Sequence, residues 1–336
     1  MAVLVTGGAG YIGSHAVREL ARSGHEVFVY DNLSAGHRLA AETALGRSGY
    51  LIEGDIRDTE HLRKALGSGK VDAVMHFAAS LSVADSVKDP IGYYANNVTG
   101  ALSVLEAMVA TGVQKFVFSS TAAVFGNPER TPIAEDHPKR PINAYGETKL
   151  AVERALGHFE RAYGVRSVAL RYFNAAGADP DGLLGEDHDP EVHVIPRAID
   201  AAAGRGVFQV FGEDYETPDG TCLRDYVHVT DLAAAHVLAL NALTGGAGST
   251  VYNLGNGHPT SVRQVLDAVQ RVTGKSVPYS KGPRRPGDPA VLYASSDRIK
   301  RELGWQPRYE AVDTIVETAW RWREAHPSGY RAKAGT

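Results

Sequence analysis

The glycine loop near the amino terminus constrains the fold more than any other feature of the sequence. Residues 2–5 form a short apolar run of the strand type, and residues 14–23 have the apolar spacing of a helix. Between them lie three glycines at intervals of three: Gly7, Gly10 and Gly13. Glycines at such a junction permit a tight turn, a close approach of the backbone to a pyrophosphate, and close packing of the helix. The start of the helix adds free N–H groups that attract an anion.

The loop therefore predicts a dinucleotide-binding unit, in which Tyr11 and Ile12 join the three glycines as cofactor contacts. The second strand ends in Asp31, which lies 18 residues after the last glycine. An acid at this distance binds the adenosine ribose hydroxyls and disfavours a 2′-phosphate, so we predict NAD rather than NADP. Asn32, the next residue, is a further candidate contact.

Strands and helices alternate through the first half of the chain. Apolar runs at residues 71–77 and 115–119 predict the fourth and fifth strands. This alternation is typical of a Rossmann-type α/β fold with a doubly wound parallel sheet. Ligands of such sheets bind beyond the carboxyl ends of the strands. The candidate cofactor contacts at those ends, and on the helical segment after the fourth strand, are Asp55, Ile56, Phe77, Ala78, Ala79, Asn96 and Ser119.

Tyr145 and Lys149 form a Tyr-x-x-x-Lys pair. Residues four apart on a helix share a face, so the ammonium should lie near the phenol and favour its ionised form. A phenol titrates near ~10 and needs such help to act as a base at neutral pH. A tyrosine and a lysine at this spacing are common on helix surfaces, and it is the dinucleotide loop that gives the pair its meaning. Together with the hydroxyl of Thr121, just after the fifth strand, they predict redox chemistry at a sugar or alcohol carbon.

Composition and charge exclude several other classes of protein. The net charge of −4 gives no reason to expect a nucleic acid or an anionic membrane as partner. The single cysteine, Cys222, excludes an internal disulfide framework, and the 13 histidines show no ligand spacing, so we expect no metal. The amino terminus has no signal-peptide pattern and no apolar stretch approaches ~20 residues. We therefore expect a cytoplasmic protein with no membrane span, and a solvated surface loop at residues 185–190.

More specific motifs lie in the second half of the chain. They are LRYFNAAGA at residues 170–178, VFG at 210–212, DGTCLRDYVHV at 219–229 and PRRPGD at 283–288. With these motifs the chain resembles the extended short-chain dehydrogenase/reductase family over nearly its whole length. It is most similar to the members that epimerise UDP-glucose and UDP-galactose at C4.

This resemblance implies two domains and a set of substrate contacts. Residues 1–175 would form the NAD-binding domain and residues 176–336 a smaller α/β domain for the UDP-sugar, with interleaved boundaries. Two arginines would suit the diphosphate, because guanidinium groups complement phosphate oxygens. Tyr172 would contact the cofactor. The residues implied for the substrate, besides Thr121 and Tyr145, are Phe173, Asn174, His193, Val194, Val210, Phe211, Arg224, Tyr226, Arg285 and Asp288.

The resemblance also implies a mechanism. Tyr145 would remove the proton of the sugar 4-OH while the C4 hydride passes to NAD, and the transient 4-keto sugar would then turn its other face to the returning hydride. Lys149 would lower the phenol pKa and bond the nicotinamide ribose, and Thr121 would hold the reacting oxygen. NAD would stay bound, since the net redox change is zero. The family further implies a homodimer, with helices near residues 97–110 and 151–163 as its interface.

Several alternatives remain at this point. A nucleotide-sugar 4,6-dehydratase is disfavoured, because its relatives carry Asp-Glu where this chain has Ala122 and Ala123. A 4-epimerase of another UDP-sugar (an N-acetylhexosamine, a pentose or glucuronate) shares all the motifs. Leu292 occupies the position that is thought to gate N-acetylated sugars, and leucine is intermediate in size. A non-catalytic NAD-sensing protein is disfavoured because the catalytic tyrosine and lysine are retained.

Overall fold

A sheet of seven strands, each parallel to its neighbours, organises the protein. The computed structural model describes residues 1–46, 50–68, 71–285 and 288–331. The strands of this sheet and of the smaller sheets are, in chain order, β1 Ala2–Thr6, β2 Glu26–Asp31, β3 Leu51–Glu53, β4 Ala73–His76, β5 Lys115–Thr121, β6 Arg166–Tyr172, β7 Asn174–Ala176, β8 Phe208–Phe211, β9 Leu223–Arg224, β10 Tyr226–His228, β11 Thr250–Leu254, β12 Thr260–Ser261, β13 Tyr279–Gly282 and β14 Val291–Leu292. The main sheet has the order β11-β6-β5-β4-β1-β2-β3. Its central strand β1 is buried along its whole length, as expected for a strand covered on both faces.

Helices cover both faces of this sheet. They are α1 Tyr11–Arg22, α2 Arg38–Leu45, α3 Thr59–Ser68, α4 Val83–Lys88, α5 Pro90–Tyr93, α6 Gly100–Thr111, α7 Ala144–Tyr163, α8 Val194–Ala202, α9 Val229–Thr244, α10 Val262–Thr273, α11 Asp297–Leu303 and α12 Val312–Ala325. Apolar residues of α1, α2 and α9 pack on one face, and those of α3, α6 and α7 on the other. The predicted doubly wound α/β fold is thus confirmed. Within the described ranges, no helix has the length and apolar character needed to cross a bilayer.

A second group of elements lies beside the main sheet. Helices α8, α10 and α12 share an apolar core with β8. Three small sheets belong to this part: β7 with β10, β8 with β13, and β12-β9-β14. A fourth apolar cluster contains residues from both parts, with Val124, Phe125 and Leu150 meeting Phe173 and Leu292. This cluster places the substrate candidates of the second half next to the carboxyl end of the main sheet.

The chain crosses back to the main sheet after residue 175. Strand β11 pairs in parallel with β6, from Thr250 opposite Val168 to Leu254 opposite Tyr172. Helix α9 packs with α1 in the same apolar core. Residues far beyond the expected boundary therefore complete the sheet that begins with the glycine loop.

Candidate active site

The glycine loop leaves no room for side chains at two of its three positions. Gly7 has a φ of 74°, and a Cβ atom built on it would stand 2.4 Å from the backbone nitrogen of Ala78. A Cβ atom on Gly13 would stand 2.1 Å from the carbonyl oxygen of Gly7. Because these glycines have no side chain, β1, β4 and α1 can approach one another closely at this loop. Gly10 is the N-cap of α1, and no side chain caps that end.

Asp31 lies beside this loop. Its Oδ2 accepts a hydrogen bond of 3.0 Å from the Ala9 N–H, and its Oδ1 accepts one of 2.9 Å from the Leu33 N–H. Burial raises the pKa of the Asp31 carboxyl, and the two backbone hydrogen bonds oppose that shift. A close-packed glycine turn, an uncapped helix start and a buried acid after β2 fit an adenosine diphosphate group well. The residues present therefore fit NAD.

Asp55 and Asn32 lie together next to Asp31. The Asn32 amide donates to Asp55 Oδ2 at 3.5 Å, and Arg57 Nη2 donates to the same oxygen at 2.6 Å. Hydrogen bonding from the Arg57 side chain lowers the pKa of Asp55 to about 2. Ile56, in contrast, is a core residue, and a Cβ on Gly100 would stand 2.5 Å from its Cδ1. The buried side chain of Ile56 cannot reach the cofactor, so only its backbone can make the contact that the sequence predicts.

The residues after β4 also border the glycine loop. The N–H groups of Phe77 and Ala78 both donate to the carbonyl of Thr6, at 2.8 Å and 3.1 Å. Ala79 follows them in the chain. Asn96 lies in a π-helical turn, Tyr94–Thr99, and its amide donates to Asn97 Oδ1 at 3.0 Å. Such turns are frequent at functional sites.

Asn97 has a structural role that the sequence did not reveal. Its buried amide accepts the Ser80 N–H at 2.8 Å and donates to the Ser80 carbonyl at 3.0 Å and to Thr148 Oγ1 at 3.2 Å. It thus joins the segment after β4 to helix α7. The only local signal was an asparagine pair inside a helical pattern.

Helix α7 brings Tyr145 to Thr121. Asn143 caps the helix by accepting the Gly146 N–H at 2.9 Å, so Tyr145 lies in the first turn. Gly146 packs on the short 3-10 turn that follows β5, where a Cβ atom would stand 2.5 Å from the Ala123 carbonyl oxygen. The Tyr145 phenol lies within interaction range of the Thr121 hydroxyl, which acts to lower the phenol pKa. Two of the three predicted catalytic residues are therefore close together.

Lys149 is buried nearby but is bonded elsewhere. Its Nζ donates to the Ser119 carbonyl at 2.9 Å and lies 6.0 Å from the centre of the Tyr145 ring. Burial lowers the pKa of Lys149 to about 7. Burial also raises the pKa of Tyr145 to about 12, and the Thr121 hydroxyl opposes this. The ammonium is thus bonded to a backbone carbonyl in this arrangement, and its effect on the phenol pKa stays a prediction.

A buried ion pair lies one helical turn beyond Lys149. Arg171 binds Glu153 through two hydrogen bonds, Nη2 to Oε2 at 2.5 Å and Nε to Oε1 at 2.9 Å. Ser120 Oγ donates to Glu153 Oε1 at 2.5 Å. The carboxylate of Glu153 raises the pKa of Lys149 against the effect of burial. The spacing of four from Lys149 was the one sequence signal for this acid.

Two predicted cofactor contacts meet at the ends of β5 and β6. The Ser119 and Tyr172 hydroxyls share a short hydrogen bond. Burial raises the pKa of Tyr172 well above its usual value. Since Lys149 is bonded to the carbonyl of Ser119, all three residues lie at one point of the sheet edge.

The predicted diphosphate residues gather on the small sheets of the second half. Arg224 forms an ion pair with Asp288, and its Nη1 donates to the Leu223 carbonyl at 2.7 Å. The guanidinium of Arg285 lies 4.0 Å from the centre of the Phe211 ring. Burial lowers the pKa of Arg285, the Asp288 carboxylate opposes this shift, and the guanidinium groups of Arg197 and Arg224 add to it. A concentration of positive charge at this place suits an anionic ligand.

Two buried phenols lie beside these charges. The hydroxyls of Tyr215 and Tyr226 have no hydrogen-bond partner within the described residues. Asp288 and Arg224 act electrostatically on both of them. Buried polar atoms are normally paired, so a ligand with polar groups would satisfy them. Tyr215 was not among the residues that the sequence singled out.

The other substrate candidates have mixed surroundings. Asn174 is bonded through its N–H and its side-chain amide to the Asp225 carbonyl, at 3.0 Å and 2.9 Å. Phe173 is half-buried against Phe125 and its neighbours. Val210 is a core residue of β8, so only its backbone can meet a ligand. Val194 is the first residue of α8, directly after His193.

His193 belongs to a cluster of acidic and histidine side chains that lies partly inside the expected surface loop. We define the His–Glu cluster as Glu186, His188, Glu191 and His193, from which one nitrogen or carboxylate oxygen each lies within 4.8 Å of the others. Glu186 is only 8% exposed, so residues 185–190 are not simply a solvated loop. The reason is that Gly185 packs directly on the indole of Trp322. His188 and His193 therefore have carboxylates as close neighbours, although the sequence shows no ligand spacing for the histidines.

The electrostatics of this cluster favour positive imidazoles when no cation is bound. Burial opposes the charge, yet the carboxylates of Glu186 and Glu191 raise the pKa of His188 to about 9 and that of His193 to about 10. The cluster also faces the glycine loop, with the ring centres of His188 and Tyr11 6.3 Å apart.

Comparison with known proteins places the chain in a family. A family model described as the NAD dependent epimerase/dehydratase family matches residues 3–255. The UDP-glucose 4-epimerase of Lactobacillus helveticus is 50% identical over 334 residues, which are 99% of this chain and 100% of that protein. The crystal structure of UDP-glucose 4-epimerase from Brucella ovis in complex with NAD is 52% identical, with a TM-score of 0.92 over 95% of this chain and 97% of that chain.

A third relative is named for two sugar substrates. The structure of the UDP-Glc/GlcNAc 4-epimerase from Campylobacter jejuni is 40% identical, with a TM-score of 0.84 over 96% of this chain and 99% of that chain. Each of these three relatives covers at least 95% of the chain. The resemblance predicted from the sequence is confirmed, and the chain belongs to the NAD dependent epimerase/dehydratase family.

Proposed function

We propose that this protein is a UDP-glucose 4-epimerase that interconverts UDP-galactose and UDP-glucose with bound NAD. The observation that carries the proposal is the close pair of Thr121 and Tyr145, with Lys149 buried beside them at the edge of a dinucleotide-binding sheet. The identity of about half of all residues to UDP-glucose 4-epimerases over the full chain supports it. Fold alone would not, since one fold serves many reactions.

The cofactor would lie along the carboxyl edge of the main sheet. The glycine loop and the start of α1 would hold its pyrophosphate, Asp31 its adenosine ribose, and the residues after β4 and β5 its nicotinamide half. Bound NAD would supply the hydride acceptor for C4 and, in its oxidised form, a positive charge that favours the ionised phenol.

The chain's own residues would handle the proton. Tyr145 would exchange a proton with the sugar 4-OH through its phenol oxygen, and Thr121 would keep that oxygen in place. Lys149 would add positive charge once it is protonated, since burial lowers its pKa to about 7. The buried Glu153 carboxylate favours that protonated form.

The nucleotide would bind away from the reacting carbon. Arg224 and Arg285 would bind the diphosphate and Asp288 the uridine ribose, with the Tyr226 hydroxyl as an additional polar contact. Asn174 would contact the diphosphate region. These anchors would hold the nucleotide while the sugar turns between its two faces.

A second candidate is the same reaction on UDP-N-acetylglucosamine. Leu292 is half-buried against Phe173 and Val124, in the cluster that joins the two parts of the molecule. A leucine leaves more room there than a tyrosine would. The relative from Campylobacter jejuni acts on both sugars by its name, which makes this candidate worth testing directly.

The proposed assembly is a homodimer through α6 and α7. Val109 on α6 is 37% exposed and Tyr163 on α7 is 54% exposed, so each helix offers an apolar side chain to a partner. Light scattering after size exclusion would report a mass of two chains. A mass of one chain at micromolar concentration would contradict the proposal.

Turnover without added cofactor tests the proposed function. Purified protein is given UDP-galactose, and UDP-glucose is followed by chromatography. We expect product from the wild type and from Tyr163→Phe, which removes a hydroxyl from an exposed tyrosine at the other end of α7. We expect none from Tyr145→Phe. If the wild type also forms no product after NAD is added, the assignment to UDP-galactose is wrong.

A further inference from the structure

We propose that the His–Glu cluster binds one divalent cation of the zinc type, in a structural site separate from the Tyr145 centre. The cluster offers two imidazole nitrogens and two carboxylates, which is a donor set that zinc accepts in proteins. All four residues come from one short segment, in the pattern Glu-x-His-x-x-Glu-x-His.

The distances within the cluster bring its four ligand atoms within reach of one shared ion. The Nδ1 atom of His193 lies 2.6 Å from Glu186 Oε1 and 3.3 Å from Glu191 Oε1. The Nδ1 atom of His188 lies 3.1 Å from Glu186 Oε1 and 3.7 Å from Glu191 Oε2. Four ligands at ~2.0–2.1 Å from a tetrahedral ion are about 3.3 Å apart. The measured distances lie on both sides of that value.

The directions of the polar groups favour an ion over pairwise hydrogen bonds. Glu186 Oε1, His188 Nδ1 and His193 Nδ1 are buried, and none has a hydrogen bond of acceptable geometry to any described residue. They are nevertheless close to one another. Buried polar atoms that approach without pairing need a common partner, and a cation supplies one.

The surroundings suit a structural role. A cavity of about 30 Å³ borders the cluster and is lined in part by Glu186, His188 and Glu191, which is room enough for water. His37 is hydrogen-bonded at 3.0 Å to the carbonyl of Asp187, within the same segment. The segment ends where α8 begins, at Val194. A cation would therefore fix the chain between the glycine loop, through Tyr11, and the start of α8.

This role is independent of proton transfer at Tyr145. Binding of a cation through Nδ1 would leave the Nε2 atom of His193 available to a second partner. Zinc-bound histidines commonly donate their other N–H group in this way. The site would thus position one of the proposed substrate contacts rather than take part in the reaction.

Direct metal binding tests the proposal on the full-length protein without a histidine tag. Zn²⁺ is titrated against a chromophoric chelator, and bound metal is counted by mass spectrometry. We expect one zinc per chain for the wild type and for His158→Gln, which changes an exposed histidine on α7. His188→Gln and Glu191→Gln are expected to lower the affinity at least ~10-fold, as the loss of a ligand should.

Two further readouts do not depend on activity. Co²⁺ bound at the cluster should show the strong visible absorption of four-coordinate cobalt, and His188→Gln should abolish it. Zn²⁺ should also raise the midpoint temperature of thermal unfolding of the wild type and of His158→Gln. This measurement does not require that the cluster variants fold. Equal zinc affinity in wild type and both cluster variants, or an unchanged midpoint with zinc, would overturn the proposal.

Discussion

Gly146 lies so close to Ala123 that a Cβ atom at position 146 would stand 2.5 Å from the Ala123 carbonyl oxygen. This contact sets the first turn of α7 against the end of β5 and so holds Tyr145 beside Thr121. We predict that Gly146→Ala shifts the helix, destabilises the fold by about 1–3 kcal/mol and lowers kcat. Urea unfolding and steady-state kinetics measure both effects.

Gly157 provides the matched control on the same helix. A Cβ atom there would meet only Arg161 Nη1, at 3.7 Å. Gly157→Ala should therefore stabilise α7 by about 0.5–1 kcal/mol and leave kcat unchanged. If the two variants behave alike, the close contact at position 146 is not what positions Tyr145.

The hydroxyl of Thr121 is expected to matter more than its methyl group. Thr121→Val removes the hydroxyl that acts on the Tyr145 phenol and should lower kcat by about 100-fold with little change in KM. Thr121→Ser keeps the hydroxyl and should retain most activity. Equal kcat values for the valine and serine variants would show that the hydroxyl is not used.

Lys149 should give the cofactor-free protein a stability that depends on pH. Burial lowers its pKa from 10.5 to about 7. In the pH window between these two values, the folded chain therefore binds fewer protons than the unfolded chain. The free energy of unfolding should then rise as pH increases through this window and reach its full value above it. It should fall again as pH decreases towards the lower limit of the window. Urea midpoints at the two ends of the window measure this rise, which Lys149→Met should reduce. A variant with the wild-type slope would contradict the prediction.

Neighbouring arginines should differ in their effect on UDP affinity. Arg285 lies over Phe211 beside Arg224, whereas Arg284 binds Asp214. Arg285→Ala should weaken UDP binding by about 1.5–3 kcal/mol, because a charged hydrogen bond is lost. Arg284→Ala should change it little. Calorimetric titration with UDP compares them, and a larger loss for Arg284→Ala would refute the placement of the diphosphate.

Leu292 should influence the choice of sugar. It packs against the same apolar cluster as Phe173, and a tyrosine at this position would fill space beside the proposed sugar site. Leu292→Tyr should lower kcat/KM for UDP-N-acetylglucosamine at least ~10-fold relative to UDP-glucose. Leu292→Met, similar in volume, is the control. An unchanged ratio in the tyrosine variant would place the gate elsewhere.

Local patterns in the sequence were sufficient for the sheet and for the start of the site. The glycine loop, Asp31 and the pair of Tyr145 and Lys149 each depend on residues that are near in sequence, and the structure places them at one edge of the parallel sheet. Contacts over long stretches of chain could not be predicted in this way. Asn97 reaches Ser80 and Thr148, and the hydrogen bonds hold three separate segments together.

Burial was the other quantity that the sequence could not give. Glu186 appears solvent-facing in a run of acidic residues, but Trp322 and Tyr330, far along the chain, cover that segment. The sequence suggests that Lys149 helps Tyr145 electrostatically, but desolvation of both groups dominates their pKa values. Ile56 and Val210 are buried as well, because tertiary packing covers their side chains.

The pairing of β11 with β6 has a consequence for synthesis on the ribosome. A fragment that ends near residue 175 would contain the glycine loop, Tyr145 and Lys149, yet β6 would be left as an open edge that invites pairing with other chains. The nascent chain has to reach Leu254 before that edge is closed. We therefore expect that residues 1–175 do not fold independently, because the sheet that holds them is completed by residues translated long after Lys149.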